Sequence, residues 1–291
     1  MDWFTLTLLC AFSLATADAY TKKHLSHCRG MEMVLARFFI PGILLAPLIY
    51  LFPLPQVSVE FWAWIVLLVP LELLAMFLYT LAIRDSPLYQ TLPFLAFTPV
   101  FNIFTAWAIL DEQVTLDGAV GIISIVIGAY YLNINSLYQT NRLNWLAPFT
   151  AIVKQKGSRR MLMVAIIYSF TSVGGKAAMS YVGAMNFAAF YIPLVGISAL
   201  LLVVTVEPKR VLVFVHKPGW HLFIGILFTI MLVTHFLALS KVEAAYMVAV
   251  KRSSMIFGIL YGAWMFHEKG LLKNSVSATL MVVGVTLIVL R

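Results

Sequence analysis

Charged residues are scarce in this chain of 291 residues. Asp, Glu, Lys and Arg together make up 11 % of it, whereas a soluble globular domain carries roughly 25 %. Hydrophobic residues make up 62 %, and the mean hydropathy is +0.94. This composition excludes an ordinary soluble domain and predicts an all-α integral membrane protein.

Acidic residues and cysteines are few as well. The chain has 12 Asp and Glu against 20 Lys and Arg, a net charge of +8. Most of the cations lie in short loops between apolar runs, where they orient helices, so we expect no nucleic-acid partner. The two cysteines, Cys10 and Cys28, cannot form a disulfide framework and suggest neither redox chemistry nor a metal site.

Motifs of enzyme chemistry are missing. The sequence has no P-loop, no GxSxG and no HExxH, and it lacks the clustered carboxylates or histidines of a membrane-embedded enzyme. We therefore predict that the protein is not an enzyme and binds no cofactor.

Long apolar runs are what the chain does contain. A spanning helix needs about 20 mostly apolar residues. Ten runs qualify: 3–20, 31–52, 60–83, 87–110, 116–134, 160–182, 187–206, 219–240, 244–266 and 271–290.

The chain repeats itself on either side of a polar segment, 135–159. A shift of 156 positions places Phe101 on Phe257 and Gly128 on Gly284. We therefore predict two five-helix repeats, 1–134 and 160–291, joined by a cytoplasmic connection. Because five is odd, the second repeat enters the membrane from the opposite side, as in the inverted repeats of secondary transporters.

The first run has an alternative interpretation as a signal peptide, since Ala17-Asp18-Ala19 fits a cleavage site. Against this interpretation, no Lys or Arg precedes the run. Cleavage would also leave four helices in the first repeat and five in the second. The retained helix is therefore favoured.

Loop charges predict the orientation. Fourteen Lys and Arg fall in the loops of one side, and only Lys241 and Arg291 fall on the other. By the positive-inside rule both termini face away from the cytoplasm. We expect a multi-pass protein of a plasma membrane, the inner membrane in a bacterial cell.

Two adjacent cations, Lys251 and Arg252, lie inside the ninth run. An ionisable residue in a spanning helix costs about 2.5–3.5 kcal/mol on insertion scales and usually faces a cavity or a partner. Lys251 is about 10 Å along its helix, and Lys176 is predicted at a similar depth. Three cations without a carboxylate suggest an anionic substrate. We predict that Ser254 and Tyr246 bind this substrate together with the three cations. The alternative is that Lys251 and Arg252 snorkel to the interface.

Other ionisable residues occur in the second, third and eighth runs. Arg37 and Glu72 form either a buried ion pair or a proton-coupling site. His235 is interpreted as a packing residue, with titration as the alternative. Glu112 and its repeat equivalent Glu268, which end the fourth and ninth helices at the interface, are interpreted as solvated structural residues.

The fourth run, the repeat equivalent of the ninth, contains Pro87, Pro93 and Pro99. Interior prolines kink a helix and free carbonyls, which a membrane tolerates where they line a cavity. The sequence therefore predicts a central site between these two runs.

The chain resembles the EamA-type domains of the drug/metabolite transporter superfamily in two segments, "PFLAFTPVFNIFTAWAILDEQVTLDGAVGIISIVIGAYYL" and "AYMVAVKRSSMIFGILYGAWMFHEKGLLKNSVSATLMVVGVTLIVL". The resemblance implies a carrier of small organic metabolites, often an exporter or exchanger, that works by alternating access. Lys251-Arg252 is also similar to the Lys-Arg pair of plastid phosphate translocators. Those proteins have a further basic residue on the fourth helix, where this chain has Leu95-Ala96.

These observations predict a transporter for a small organic solute, anionic or phosphorylated. The expected partners are this solute, the lipid bilayer and, as an option, a second copy in a homodimer. Two alternatives stay open: a scaffold or accessory subunit without transport, and a flippase for a lipid-linked carrier.

Overall fold

The computed structural model describes residues 1–25, 28, 30–85, 92–135, 156–215, 217–267 and 275–290. None of these residues lies in a β-strand. The helices are α1 (Trp3–His24), α2 (Gly30–Tyr50), α3 (Val59–Asp85), α4 (Thr98–Leu110), α5 (Leu116–Asn135), α6 (Lys156–Val182), α7 (Ala184–Val206), α8 (Pro218–Leu239), α9 (Ala244–Lys251), α10 (Ser254–Phe266) and α11 (Ser275–Val289). Short 3₁₀ helices precede α4 (Leu92–Phe97) and α8 (Pro208–Val215).

Six helices are long and apolar enough to cross a membrane: α1, α2, α3, α6, α7 and α8. Three shorter apolar helices, Phe94–Leu110, Leu116–Tyr131 and Val276–Val289, add to them among the described residues. Because a helix satisfies its own backbone groups, these apolar runs fold as helices in lipid. The prediction of an all-helical integral membrane protein is confirmed.

The repeat extends to backbone conformation. α4 and α10 begin at Thr98 and Ser254 and end at Leu110 and Phe266, a shift of 156 at each end. Each is followed by a left-handed residue, Asp111 with φ 54° and His267 with φ 52°. Since left-handed non-glycine residues are uncommon, the matching pair shows that the two segments share one local fold.

The chain forms two compact units that do not follow the sequence halves. The first unit consists of Met1–Leu74 and Gly174–Lys241, and the second of Ala75–Val173 and Val242–Arg291. Each unit therefore takes segments from both halves of the sequence.

In the first unit, α2 and α7 approach closely at glycines. A Cβ atom on Gly196 would lie 2.6 Å from the carbonyl oxygen of Phe38, and one on Gly42 would lie 3.3 Å from the Cα atom of Pro193. α2 has a π-helical turn over Leu35–Phe39, and α7 contains Pro193. Small residues at the crossing let the backbones touch.

In the second unit, α5 and α11 pack against each other in opposite directions. Gly121, early in α5, meets Gly284, late in α11, whereas Gly128 meets the backbone of Ser277. In lipid the hydrophobic effect does not drive helices together. Van der Waals contact between the closely spaced backbones therefore stabilises the pair.

Cys28 lies between α1 and α2, outside the helices. Burial, and to a smaller extent the charge of Glu32, raises the pKa of its thiol to about 11, and its Sγ atom is 3.9 Å from Nε2 of His221. The thiolate is the reactive form, so an elevated pKa makes the thiol inert at neutral pH.

We therefore expect iodoacetamide to label Cys28 at pH 8 about 100-fold more slowly than a thiol with the reference pKa of 9.0. Labelling should accelerate tenfold per pH unit up to about pH 11, because the thiolate fraction rises in that proportion. Mass spectrometry of the labelled protein measures this rate, and Cys10, buried in α1, serves as the unreactive reference. A plateau below pH 9 would contradict the burial argument.

Candidate functional site

The helix that carries Lys251 and Arg252 is broken at these residues. α9 ends at Lys251 and α10 begins at Ser254. Between them the backbone tightens: the Arg252 N–H donates to the Ala249 carbonyl at 3.0 Å, and the Ser253 N–H to the Val250 carbonyl at 2.9 Å. Such 3₁₀ turns within a longer helix often mark a functional hinge or a strained segment.

The repeat-equivalent segment is irregular at the same register. Leu92–Phe97 is a 3₁₀ helix that leads into α4 at Thr98, as the Arg252–Ser253 turn leads into α10 at Ser254. The irregular backbone that the prolines of the fourth run predict is thus present, whereas the break in the ninth run was not predicted. Transporters commonly bind substrates at such discontinuous helices.

Arg252 is partly buried, and its Nε atom is shielded from solvent. Among the residues that the structure describes, this Nε atom has no hydrogen-bond partner. Tyr79 from α3 and Tyr168 from α6 lie close enough to interact electrostatically with the guanidinium group. The site thus combines a shielded guanidinium nitrogen with two tyrosines at a break in a helix.

The residues next to Arg252 differ in how their polar groups are used. Lys251 and Ser254 are both partly buried. The Ser253 hydroxyl donates to the Val250 carbonyl of its own helix at 2.7 Å. The Ser253 hydroxyl therefore has a local structural role. The binding of substrate by Lys251 and Ser254 stays a prediction.

Tyr246 is fully buried among its neighbours. Its hydroxyl accepts a hydrogen bond from the Thr115 N–H at 2.9 Å and lies 3.2 Å from the Thr115 side-chain oxygen. The ring covers Gly118 so closely that a Cβ atom there would collide with it. These contacts give Tyr246 a packing role, and its inclusion in the substrate-binding set stays a prediction.

Lys176 belongs to the first unit, whereas Lys251 and Arg252 belong to the second. It is partly buried near the end of α6. Its predicted participation with the other two cations stays a prediction.

Arg37 has a partner that the sequence did not suggest. Its Nη2 atom donates to Asp18 Oδ1 at 2.6 Å, and its guanidinium carbon lies 4.8 Å from the ring centre of Phe228. In the sequence, Asp18 stands out only as part of a possible cleavage site, and Glu72 is the predicted partner of Arg37. The Asp18 ion pair adds a structural role for Arg37 within the first unit.

Glu72 and His235 also lie in the first unit. Glu72 is partly buried in α3 and within electrostatic reach of the buried Tyr191. The ring of His235 is 5.4 Å from that of its sequence neighbour Phe236, and its interpretation as a packing residue stays a prediction. The proton-coupling role of Glu72 stays a prediction.

A hydrogen-bonded bridge through Asn102, which the sequence did not suggest, links helices in the second unit. Asn102 of α4 is fully buried. Its Nδ2 atom donates to the Ala244 carbonyl at 3.4 Å, and its Oδ1 atom accepts from the Ser172 hydroxyl at 3.2 Å. Asn102 therefore connects α9, which leads to Arg252, with α6, which carries Tyr168 one turn before Ser172. The only available sequence signal was a single Asn in an otherwise apolar run.

Glu112 has the structural role that its interpretation predicts, but its carboxylate is only partly exposed and bonds to another helix. Its Oε2 atom accepts the Ala244 N–H at 2.8 Å, which caps the first residue of α9. A carboxylate at a helix N-terminus satisfies a free N–H and complements the helix dipole. Its repeat equivalent, Glu268, lies outside the described residues.

Asn102→Leu should lower the thermal stability of the protein in detergent. The substitution removes the two side-chain hydrogen bonds of the bridge, each with a net contribution of about 0.5–1.5 kcal/mol. Hydrogen exchange at residues 244–247 should also accelerate, because the start of α9 loses an anchor. Thr105→Val is the matched control, since among the described residues the Thr105 hydroxyl bonds only to carbonyls of its own helix. Equal effects of the two substitutions would show that the bridge contributes nothing.

Both halves of the chain match a known family. The model of the EamA-like transporter family matches residues 1–134 and 156–290. A solved structure, described only as the crystal structure of a protein, aligns with 99 % of this chain and 95 % of its own, with 14 % sequence identity and a TM-score of 0.75. At this identity the likeness shows the fold alone, and no curated protein matches the sequence. The chain belongs to the EamA-like transporter family, whose members are membrane transporters of small molecules.

Proposed function

We propose that the protein moves a small organic metabolite with a negatively charged group across the membrane by alternating access, as an exporter or exchanger. Arg252 and Lys251 bind the negative group. The observation that carries this proposal is the shielded guanidinium nitrogen of Arg252 at a break in the helix. Ser254 is the candidate for a further contact with the substrate, and Glu72 is the candidate for proton coupling.

The chemistry of Arg252 favours an anion. A guanidinium inside a membrane protein costs several kcal/mol unless it has a partner. Its planar fork matches a carboxylate or a phosphate, with which it forms two parallel hydrogen bonds. Tyr79 and Tyr168 lie within electrostatic reach of the guanidinium group. A substrate anion would therefore compensate the charge while it is bound.

An architecture of ten spans in two inverted repeats is part of the proposal. The opposite directions of the repeat-equivalent helices α5 and α11 support it, as do the matching bounds of α4 and α10. In inverted repeats the binding site lies at broken helices near the repeat interface. With fourteen loop cations on one side, both termini face away from the cytoplasm.

A thermal-shift screen of the purified protein against pools of metabolites tests this function. We expect one or more anionic metabolites to raise the melting temperature of the wild type and to lose this effect on Arg252→Ala. Lys241→Ala, which removes an exposed cation in the turn before α9, is the matched control and should respond like the wild type.

Two outcomes would count against the proposal. If only uncharged metabolites stabilise the protein, the cations do not bind the substrate. If the anions stabilise Arg252→Ala as well as the wild type, they bind elsewhere. Stabilisation by no metabolite at all would favour a scaffold without transport.

A further inference from the structure

α9 is a short helix that ends at the proposed anion site. It has eight residues, Ala244–Lys251, and is therefore about 12 Å long. A helix of this length is only marginally stable by itself, and the break at Arg252 separates it from α10. The position of α9 therefore depends on the contacts that its own residues make.

The start of α9 is held by residues from the first half of the sequence. Glu112 Oε2 accepts the N–H of Ala244 at 2.8 Å, and Asn102 Nδ2 donates to the carbonyl of Ala244 at 3.4 Å. The Tyr246 hydroxyl accepts the Thr115 N–H at 2.9 Å. These three partners of α9 lie in α4 or in its connection to α5.

The carboxylate that caps α9 comes from a distant part of the chain. Glu112 and Ala244 are 132 positions apart. Within the part of the chain that the structure describes, the side chain of Glu243, directly before α9, provides no cap. A local cap stabilises a helix wherever the helix lies, whereas a distant cap also fixes where the helix lies. Glu112 therefore ties the position of α9 to the end of α4.

The position of α9 determines where the two cations lie. Residues 244–250 are all buried, and closely packed side chains transmit displacement instead of absorbing it. Lys251 is the last residue of α9, and Arg252 follows it directly. A shift at the start of α9 would therefore displace both cations.

We propose that Glu112 is a positioning residue of the anion site. Its carboxylate holds the start of α9, and α9 holds Lys251 and Arg252 in the arrangement that binds the negative group. Glu112 acts through α9 and is not itself a ligand of the substrate. The inference rests on the proposed function, since a positioning role requires that these cations bind the substrate.

The rate at which phenylglyoxal modifies Arg252 tests this role on the full-length protein in detergent. In Glu112→Ala the start of α9 loses an anchor, so Arg252 should open to the reagent more often and react at least about threefold faster than in the wild type. Glu112→Gln keeps an oxygen that can accept the Ala244 N–H and should restore the wild-type rate. Asp117→Ala removes an exposed carboxylate from the first turn of α5 and, as the matched control, should leave the rate unchanged.

Inorganic phosphate is the anion probe for a second readout. The phosphate concentration that halves the modification rate of Arg252 measures the affinity of the site. We expect this concentration to rise about 10-fold in Glu112→Ala, because a binding site weakens when its groups are displaced. Glu112→Gln should bind phosphate like the wild type. A cap that only stabilised the helix would lower the melting temperature and leave the phosphate affinity unchanged.

The outcomes distinguish this inference from the proposed function. If Glu112→Ala keeps the wild-type rate and the wild-type phosphate affinity, the positioning role is overturned while the anion site stands. If Glu112→Gln or Asp117→Ala is as impaired as Glu112→Ala, the hydrogen bond to Ala244 is not the cause, and the inference is likewise overturned. If phosphate does not protect Arg252 in the wild type, the result counts against the proposed anion site, and the rates without phosphate still decide whether Glu112 fixes α9.

A second variant covers the case in which Glu112→Ala does not fold. Glu112→Asp keeps the charge, but its shorter side chain draws the carboxylate back from the Ala244 N–H. It should therefore raise the modification rate of Arg252 and weaken phosphate binding in the same direction as the alanine variant. Wild-type values for both quantities in Glu112→Asp would overturn the positioning role.

Discussion

Arg252→Ala should lower the transport of an anionic substrate into proteoliposomes about 100-fold or more. Removal of one partner from a desolvated, hydrogen-bonded charge pair costs about 2–5 kcal/mol. Because the substrate would lose its main compensating charge, the Michaelis constant should rise and the maximal rate should fall. Initial rates measured with a radiolabelled substrate test this expectation.

Two further variants at the same site sharpen this prediction. Arg252→Lys keeps the charge but loses the planar fork, so its activity should lie between those of the wild type and the alanine variant. Lys241→Ala, the exposed control, should transport normally. Wild-type rates in Arg252→Ala at normal reconstitution levels would contradict the binding role.

Gly284→Ala should strongly destabilise the second unit. A Cβ atom at this position would lie 2.5 Å from the carbonyl oxygen of Gly121 and 2.7 Å from Cγ1 of Ile125. Overpacking of this kind costs about 1–3 kcal/mol, and here one of the neighbours is backbone that cannot rotate away. We expect a lower yield of monodisperse protein in size-exclusion chromatography and a lower melting temperature.

Gly258→Ala provides the matched control for this substitution. Gly258 lies in α10, and a Cβ atom there would meet nothing within 4 Å. Alanine in a helix is favoured over glycine by about 0.5–1 kcal/mol, so Gly258→Ala should be neutral or stabilising. Equal behaviour of the two variants would refute the close contact between α5 and α11.

The positions of the helices and the repeat of 156 positions could be predicted directly from the sequence. Apolar run length decides where a chain crosses lipid, so the predicted runs 116–134 and 244–266 agree closely with Leu116–Asn135 and Ala244–Phe266. The shift of 156 also anticipated the matching ends of α4 and α10. The interruption of the ninth run at Arg252 was not predicted, because no proline or glycine marks it.

Side-chain partners were harder to predict. Asp18, Asn102 and Glu112 each bond to a residue far away in the sequence, and hydropathy carries no information about such pairings. Glu112 shows the difficulty, since a carboxylate at the end of a run is equally compatible with water and with the cap of a distant helix. The compact units were missed for the same reason: they depend on which helices pack together.

Protection of Arg252 from chemical modification tests the central claim most directly. Phenylglyoxal modifies arginines, and site-resolved mass spectrometry measures the rate at each one. A transported anion at saturating concentration should slow the modification of Arg252 at least about 10-fold, while that of Arg37, paired with Asp18 in the first unit, should stay unchanged. An unchanged rate at Arg252 with the substrate bound would contradict the assignment of this residue to the substrate site.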